Sequence, residues 1–494
     1  MTGLEEKEGV AGKVAGWVDS RLGLSHPLLR PVPQYALNPF YWLGALAVVA
    51  FVIQGVTGMI MMLYYVPSPE QAYSSTLYIF QNVSNGRFLE TVHLYTAYAM
   101  IMLAFMHMMR GYFVSVQKKP REVMWVVGML MGFVTLGFGF TGYLLPWTVV
   151  SYSATHVGVG MVNALPQPIS NLLNFLVEGS SGDAGELLRF FDLHVVILPA
   201  ILLVLLVVKM YMLEAHGVAD PPAGSTVAAK EKTIPIFPDV TVYLLELSLL
   251  FGAGMLLISA IFPLNLPAEY SALTAGQATP QPDWYFLWIY QVLKVSVFDV
   301  GGGLAAALSV VTLVFVVLIV LPFIDRGKAR AISRRPVYVT LGLMFVGELV
   351  MLSYWGYVTP GATIPTEQAA LVIGGTALLI ALGSLAAYRL LYWRAKGHLE
   401  TVPAAQLPHT EARSGLAFTV LVAAGAVSIG TFLNSVIGLA LGDLSAASIA
   451  LLASSGAALA LDVLASVYLI YRLDLRTGGI RRRVKALEVG WREP

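Results

Sequence analysis

The chain has 494 residues, 57% of them apolar and only 12% charged, with a net charge of +1; a soluble domain carries about 25% charged residues. That balance excludes an ordinary soluble enzyme and, with no basic surplus, nucleic acid as a partner. The sequence contains no cysteine, which excludes disulfides, iron–sulfur ligation, thiolate zinc sites and covalently attached c-type haem, so any metal or haem must use His, Met, Lys or carboxylate.

Residues 1–39 mix charges of both signs and have no early apolar core, unlike a cleavable signal peptide. Val10, Val14, Trp17 and Arg21 predict a short amphipathic helix on the cytoplasmic surface, read as an ordered surface helix without chemistry. Ten apolar spans follow, at about 40–65, 90–115, 122–147, 192–215, 242–264, 303–324, 336–357, 368–392, 415–441 and 444–471. Each can cross a hydrocarbon core of about 30 Å as a helix, the default where lipid offers the backbone no partners, and none shows the alternation of a barrel strand. The fold class is therefore all-α, a polytopic membrane protein of about ten transmembrane helices. Basic residues set its orientation. Lys118, Lys119, Arg121, Lys230, Lys232, Arg326, Lys328, Arg330, Arg334, Arg335, Arg394, Lys396, Arg413 and Arg481 to Arg483 all fall on one side. That side is read as cytoplasmic, with both termini on it and the protein in the plasma membrane. Two outer loops, about 148–191 and 265–302, are long enough to cover a site.

Of eight histidines, His93 and His107 lie inside span two and His194 inside span four. A lone membrane histidine is often only a helix–helix hydrogen bond. His93 and His107, however, stand 14 residues apart. They leave the same helix face about 21 Å apart, one near each side of the bilayer. They cannot share one ion, but two stacked haems bridging spans two and four would use this spacing. Span four supplies His194 for the outer level. The inner partner should come 14 or 15 residues later, where Val208 and Lys209 stand. Gly44 and Gly58 on span one, and Gly128 and Gly142 on span three, repeat the 14-residue step; a missing Cβ would let a flat macrocycle approach the backbone, although small-residue helix packing gives the same signal.

These features resemble the cytochrome b family of bc-type (Rieske/cytochrome b) complexes, as a divergent prokaryotic, archaeal-like member. The resemblance spans about residues 15 to 395. It rests on Gln54-Gly55-Val56-Thr57-Gly58, on Arg110-Gly111 after His107, on Thr141-Gly142-Tyr143-Leu144-Leu145-Pro146-Trp147, and on Arg189-Phe190-Phe191 with Pro199 around His194. It rests most on Pro282-Asp283-Trp284-Tyr285-Phe286-Leu287 in the second outer loop, followed by Gly301-Gly302-Gly303. The family usually has Glu where Asp283 stands. The step from His194 to Lys209 matches the chloroplast-type spacing.

The resemblance implies a dihaem subunit that oxidises quinol on the outer side, passing one electron to a Rieske iron–sulfur protein and the other to the outer haem and then across the membrane. It implies two non-covalently bound haems, haem b or a modified haem, with quinol as substrate. Iron ligands would be His93, His194, His107 and Lys209, with Arg110 on a propionate and Gly44, Gly58, Gly128 and Gly142 against the rings. The quinol site would comprise Tyr143, Pro282, Asp283, Trp284 and Tyr285. Asp283 is the expected proton acceptor, since quinol oxidation releases two protons, and Tyr285 its hydrogen-bonding partner; the competing reading makes Asp283 a helix N-cap. Further electron-transfer or oxidase subunits, a cytochrome b dimer and membrane lipid are the expected partners. The organisation reads as a cytoplasmic segment (1–39), a four-helix haem-binding bundle (40–217), a cytoplasmic loop (218–241) and four further helices with the quinol-site loop (242–395). A linker (396–414) and two extra helices with a basic tail (415–494) follow.

Four departures stand out. Glu90 occupies the place of the family's arginine before the first ligand, with Arg87 as a possible substitute. Glu214, Tyr243 and Leu244 replace the family's inner-side His and Lys–Asp pair, which sets an inner quinone site and a full Q cycle against the pattern; Glu214, His216 and Glu246 read either as proton-handling groups on that side or, preferably, as solvated helix ends. Glu348 and Asp462 are intramembrane carboxylates, functional by default or simply bonded to neighbouring helices. Lys209, as an ammonium, has no lone pair and ligates iron only as the neutral amine. Its alternative is to snorkel or to pair with a propionate. His216 lies about 33 Å and Met212 about 27 Å along the helix from His194, and Met210 is rotated about 160° away. The rival functions are a secondary transporter, which usually shows related halves, and the haem-b anchor of another quinone-linked oxidoreductase.

Overall fold

The structure is a computed structural model. It describes residues 17, 20, 21, 31–177, 184–219, 233–271, 281–298, 303–327, 330, 335–398 and 458. Among them, eight helices are long and apolar enough to cross a membrane. Six of these are α1 (Leu43–Met62), α3 (Gly86–Val114), α4 (Glu122–Leu144), α9 (Thr241–Ile261), α11 (Gly303–Ile324) and α12 (Pro336–Val358). The other two are the span Gly185–His216 and the first part of α13 (Thr366–His398). They match the first eight expected spans and the all-α class. The spans at 415–441 and 444–471, Asp462, the basic tail, most of the linker and most of the N-terminal amphipathic segment lie outside the described residues. Short helices α2 (Ala72–Asn82), α5 (Val149–Asn163), α6 (Ile169–Val177) and α10 (Leu287–Leu293) fill the connections at the His93 end.

The bundle that positions the site consists of α1 packed on α3, and α4 packed on the fourth span, with α3 against α4. Chain reversals are sharp. α3 follows Asn85 (φ 58°) and ends on Ser115 (φ 58°), both left-handed, so the chain turns within one residue at each end. At the His107 end, the buried Asp325 carboxylate takes Lys118 (2.9 Å) and Arg335, while Arg335 also donates to Ser115. These bonds join the α3–α4 turn to the α11–α12 connection. A two-stranded ribbon (Val32–Pro33 with Thr233–Ile234) ties the approach to α1 to the approach to α9.

The fourth span is not a uniform helix. It runs as α7 (Ala184–Asp192), a π-helical turn (Leu193–Ile197) and α8 (Leu198–His216). Pro199 has no N–H with which to bond the carbonyl of residue 195, and the Leu198 N–H instead reaches back to Leu193. A π turn takes one residue more than an α turn. The 15-residue step from His194 to Lys209 therefore advances the helix by about as many turns as the 14-residue step on α3. The spacing that first looks irregular is thus the same register written with one extra residue.

Candidate functional site

Four glycines meet four prospective ligands, at two levels of the bundle. A Cβ at Gly58 of α1 would lie 3.3 Å from His93 Cε1, and one at Gly142 of α4 would lie 2.7 Å from His194 Cε1. Lower down, a Cβ at Gly44 would lie 3.1 Å from His107 Cε1, and one at Gly128 would lie 2.8 Å from Lys209 Nζ. Each level thus has two donors backed by two bare backbones. His107 and Lys209 stand within electrostatic reach of each other.

The upper pair is the better defined. The imidazoles of His93 and His194 stand edge-on to each other with centroids 6.4 Å apart. Thr57 Oγ1 lies 2.8 Å from His93 Nδ1, and Thr141 Oγ1 lies 3.0 Å from His194 Nδ1. Partnering Nδ1 leaves Nε2 as the donor for a metal, the usual role of a bond to the other ring nitrogen. Two metal–nitrogen bonds of about 2 Å each, with the two ring radii, span the observed gap. Among the described residues, no group of three or more His, Asp or Glu side chains could hold a bare ion. Two imidazoles with a free Nε2 each and bare backbones beside them fit a haem, which brings its own remaining nitrogens. Thr57 and Thr141 were not singled out from the sequence. The signal was present, because each precedes its glycine in an identical Thr-Gly pair.

The second centre forms at the same end, where the loop after α9 returns as Pro282–Phe286. Asp283 is not the side-chain N-cap of this turn, since it makes no such bond. Its two carboxylate oxygens are taken by phenols, Tyr98 on Oδ1 (2.9 Å) and Tyr285 on Oδ2 (3.1 Å). Burial pushes the Asp283 carboxyl above the ordinary carboxylate range, and both hydrogen bonds oppose that rise by favouring the anion. Tyr285 is itself buried, and its hydroxyl lies 3.1 Å from the Gly139 carbonyl as well, so its single hydrogen is shared between the two acceptors. A Cβ at Gly139 would fall 2.8 Å from the Tyr285 ring, so glycine is what lets that ring lie on α4. Tyr143 packs near Phe286 (centroids 6.3 Å), and Trp284, 37% exposed, stands edge-on to Tyr98. Neither Tyr98 nor Gly139 was legible as functional, because the Tyr98 contact joins residues 185 positions apart.

The remaining residues fall into place around these two centres. The Arg110 guanidinium sits over the Tyr41 ring at 3.9 Å, beside the lower pair. Arg87 donates to Leu264 O and Asn265 Oδ1, tying the start of α3 to the loop after α9. A His216 ring nitrogen lies 2.6 Å from the Arg21 carbonyl, and Arg121 donates to the His216 carbonyl, so His216 locks the N-terminal segment against the end of α8. Both Glu348 carboxylate oxygens are buried without a hydrogen-bond partner among the described residues.

A family model described as cytochrome b/b6/petB matches residues 30–217, and one described as cytochrome b(C-terminal)/b6/petD matches residues 276–375. The cytochrome bc complex cytochrome b subunit of Chlorobaculum thiosulfatiphilum is 32% identical over 361 residues, covering 71% of this chain and 82% of that protein. Cytochrome b of Sulfolobus acidocaldarius is 30% identical over 403 residues, covering 75% and 71% of the two chains. In structure the chain resembles one titled hyperthermophilic respiratory Complex III, with a TM-score of 0.56 and 24% identity, covering 75% of this chain and 97% of that one; at that identity the likeness speaks for the fold alone. From the family models and the bacterial and archaeal relatives, the chain belongs to the cytochrome b/b6 family, the haem-binding, multi-pass membrane subunits of bc-type electron-transport complexes.

Proposed function

We propose that this chain is a dihaem cytochrome b subunit that oxidises quinol at an outer-side site, with a Rieske iron–sulfur protein as the first electron acceptor. The observation that carries this reading is the Asp283 cluster, joined through Tyr98 to the helix that also bears His93. A haem bound there would supply one-electron transfer. His93 with His194 would hold the outer one, and His107 with Lys209 the inner one. Lys209 turns inward onto Gly128 rather than out toward the membrane face, which favours the amine as a ligand over a snorkelling cation.

The chain's own chemistry at the outer site is proton handling. Quinol gives up two electrons and two protons. Asp283, deprotonated and with its oxygens aimed by two phenols, can accept one proton from a quinol hydroxyl. Tyr285 holds the carboxylate in place, and Tyr143, Pro282 and Trp284 line the approach. Because the base must be ionised and burial raises its pKa, turnover should rise with pH up to a limb above the ordinary carboxylate range. The test is Asp283→Asn in the assembled complex. Quinol oxidation should fall by about 100-fold or more, with haem spectra unchanged. Near-normal turnover in Asp283→Asn would overturn the proposal.

A further inference from the structure

Asp283 is held from two sides, and only one of them belongs to its own loop. Tyr285 is two residues away on the same turn and takes Oδ2 at 3.1 Å. Tyr98 comes from α3, 185 residues distant in sequence, and takes Oδ1 at 2.9 Å. The Tyr98 ring has little freedom to release the carboxylate. It lies edge-on to Tyr285 (6.1 Å) and Trp284 (6.3 Å) and stacks on Tyr95 (6.4 Å), whose own hydroxyl is bonded to the Phe262 carbonyl (2.8 Å). Together with Tyr95, Met255, Ile258 and Phe262 it also lines a shallow, open apolar groove.

We infer that Tyr98 is a positioning residue for quinol oxidation, fixing the Asp283 carboxylate to α3 and setting the pH at which it can accept a proton. This rests on the quinol-oxidising reading above. An aspartate side chain is short, and a carboxylate bonded only within its own loop would follow the motion of that loop. A phenol on α3, about 7.5 Å along the helix from His93, refers it instead to the element that carries the outer ligand. The titratable groups facing Asp283 are all neutral phenols: Tyr98 from α3 and Tyr285 from its own turn, which bond it, and Tyr143 from α4 nearby. Hydrogen bonds from Tyr98 and Tyr285 therefore decide how far burial raises the carboxyl. Each bond to the charged form lowers the pKa, and removing one must raise it.

The experiment is Tyr98→Phe in the assembled complex, which keeps the ring and removes the donor. Two readouts are needed. The first is the infrared carboxyl band of Asp283, assigned by its disappearance in Asp283→Asn, followed through a pH titration. Its midpoint should move up by about one unit. The second is the pH profile of turnover, whose acidic limb should move up by a similar amount through kcat, with KM little changed. Tyr112→Phe, which removes a hydroxyl bonded to the Tyr338 carbonyl at the opposite end of α3, should shift neither. If Tyr98→Phe does not assemble, 3-fluorotyrosine placed at 98 is a stronger donor of nearly the same shape and should move the midpoint down. An unmoved infrared midpoint in either variant overturns the assignment of Tyr98. The quinol-oxidising reading fails by a different result, sustained turnover in Asp283→Asn.

Discussion

Alanine at Gly142 should evict or distort the outer haem, while alanine at Gly58 should be tolerated, although both glycines face the same pair of histidines. At Gly142 the added Cβ would lie 2.7 Å from His194 Cε1, 3.3 Å from Nδ1 and 3.4 Å from Nε2, so the whole ring blocks it. The ring cannot rotate away without losing the Thr141 bond to Nδ1 and its place opposite His93. Overpacking of this kind costs about 1–3 kcal/mol, which corresponds to a roughly 5- to 150-fold weaker hold on the cofactor. At Gly58 the nearest atom is His93 Cε1 at 3.3 Å, with Nδ1 at 3.9 Å, and a shift of a few tenths of an ångström suffices. Gly128 is the informative third case. Its Cβ would fall 2.8 Å from Lys209 Nζ, the far end of a flexible chain. A free amine would swing aside, whereas an amine fixed on iron could not, so Gly128→Ala should disturb the inner haem only if Lys209 ligates. The assay is haem stoichiometry by pyridine haemochrome together with redox titration of the two centres. Two haems with an unchanged outer potential in Gly142→Ala would refute the reasoning.

Lys209→Ala should convert the inner haem to a high-spin form that binds carbon monoxide, and Lys209→His should keep it low-spin; an inner haem already high-spin in the unaltered protein would contradict lysine ligation. Thr141→Val removes the partner of His194 Nδ1 and should weaken outer-haem retention by about 10-fold or more, measured by haem transfer to a competing apoprotein; retention equal to the parent would argue against it. Asp325→Ala leaves Lys118 and Arg335 buried without their carboxylate and should cost about 3–5 kcal/mol. It should lower the temperature of thermal inactivation clearly, and an unchanged inactivation curve would show that the cluster adds nothing to stability.

What the sequence made legible follows the range of each physical signal. Eight spans were readable because each is a continuous apolar run, a local property that lipid enforces. The two-level arrangement was readable because a helix has a fixed pitch, so 14-residue steps in His93/His107, Gly44/Gly58 and Gly128/Gly142 can be counted without knowing the fold. The structure adds which glycine meets which candidate side chain: Gly58 with His93, Gly142 with His194, Gly44 with His107 and Gly128 with Lys209. The π turn at Leu193–Ile197 was not legible, and without it a 15-residue step could only be matched by resemblance. The Asp283 environment was legible only within its own turn. A rival reading as a helix cap remained open until the Tyr98 bond, which no local pattern marks, showed where the carboxylate goes.

Two of the departures from the family's usual residues, Lys209 and Asp283, keep backbone register and change only side-chain reach. Lys209 stands one extra residue along a helix that has taken up one extra residue in its π turn, so its Cα keeps the phase that a ligand requires. Its straight chain then brings Nζ to Gly128 much as the His194 ring comes to Gly142. At Asp283 the change runs the other way, to a carboxylate one methylene shorter than the family's usual glutamate. A shorter acid sweeps a smaller volume and cannot search for its partners, so they must come to it. Tyr98 supplies one from a different helix and Tyr285 supplies the other from the loop. Substitutions at these two positions are therefore best judged in pairs, Lys209 with Gly128 and Asp283 with Tyr98. A single exchange of Asp283 to Glu inserts a longer acid opposite a phenol already adjusted to the present one.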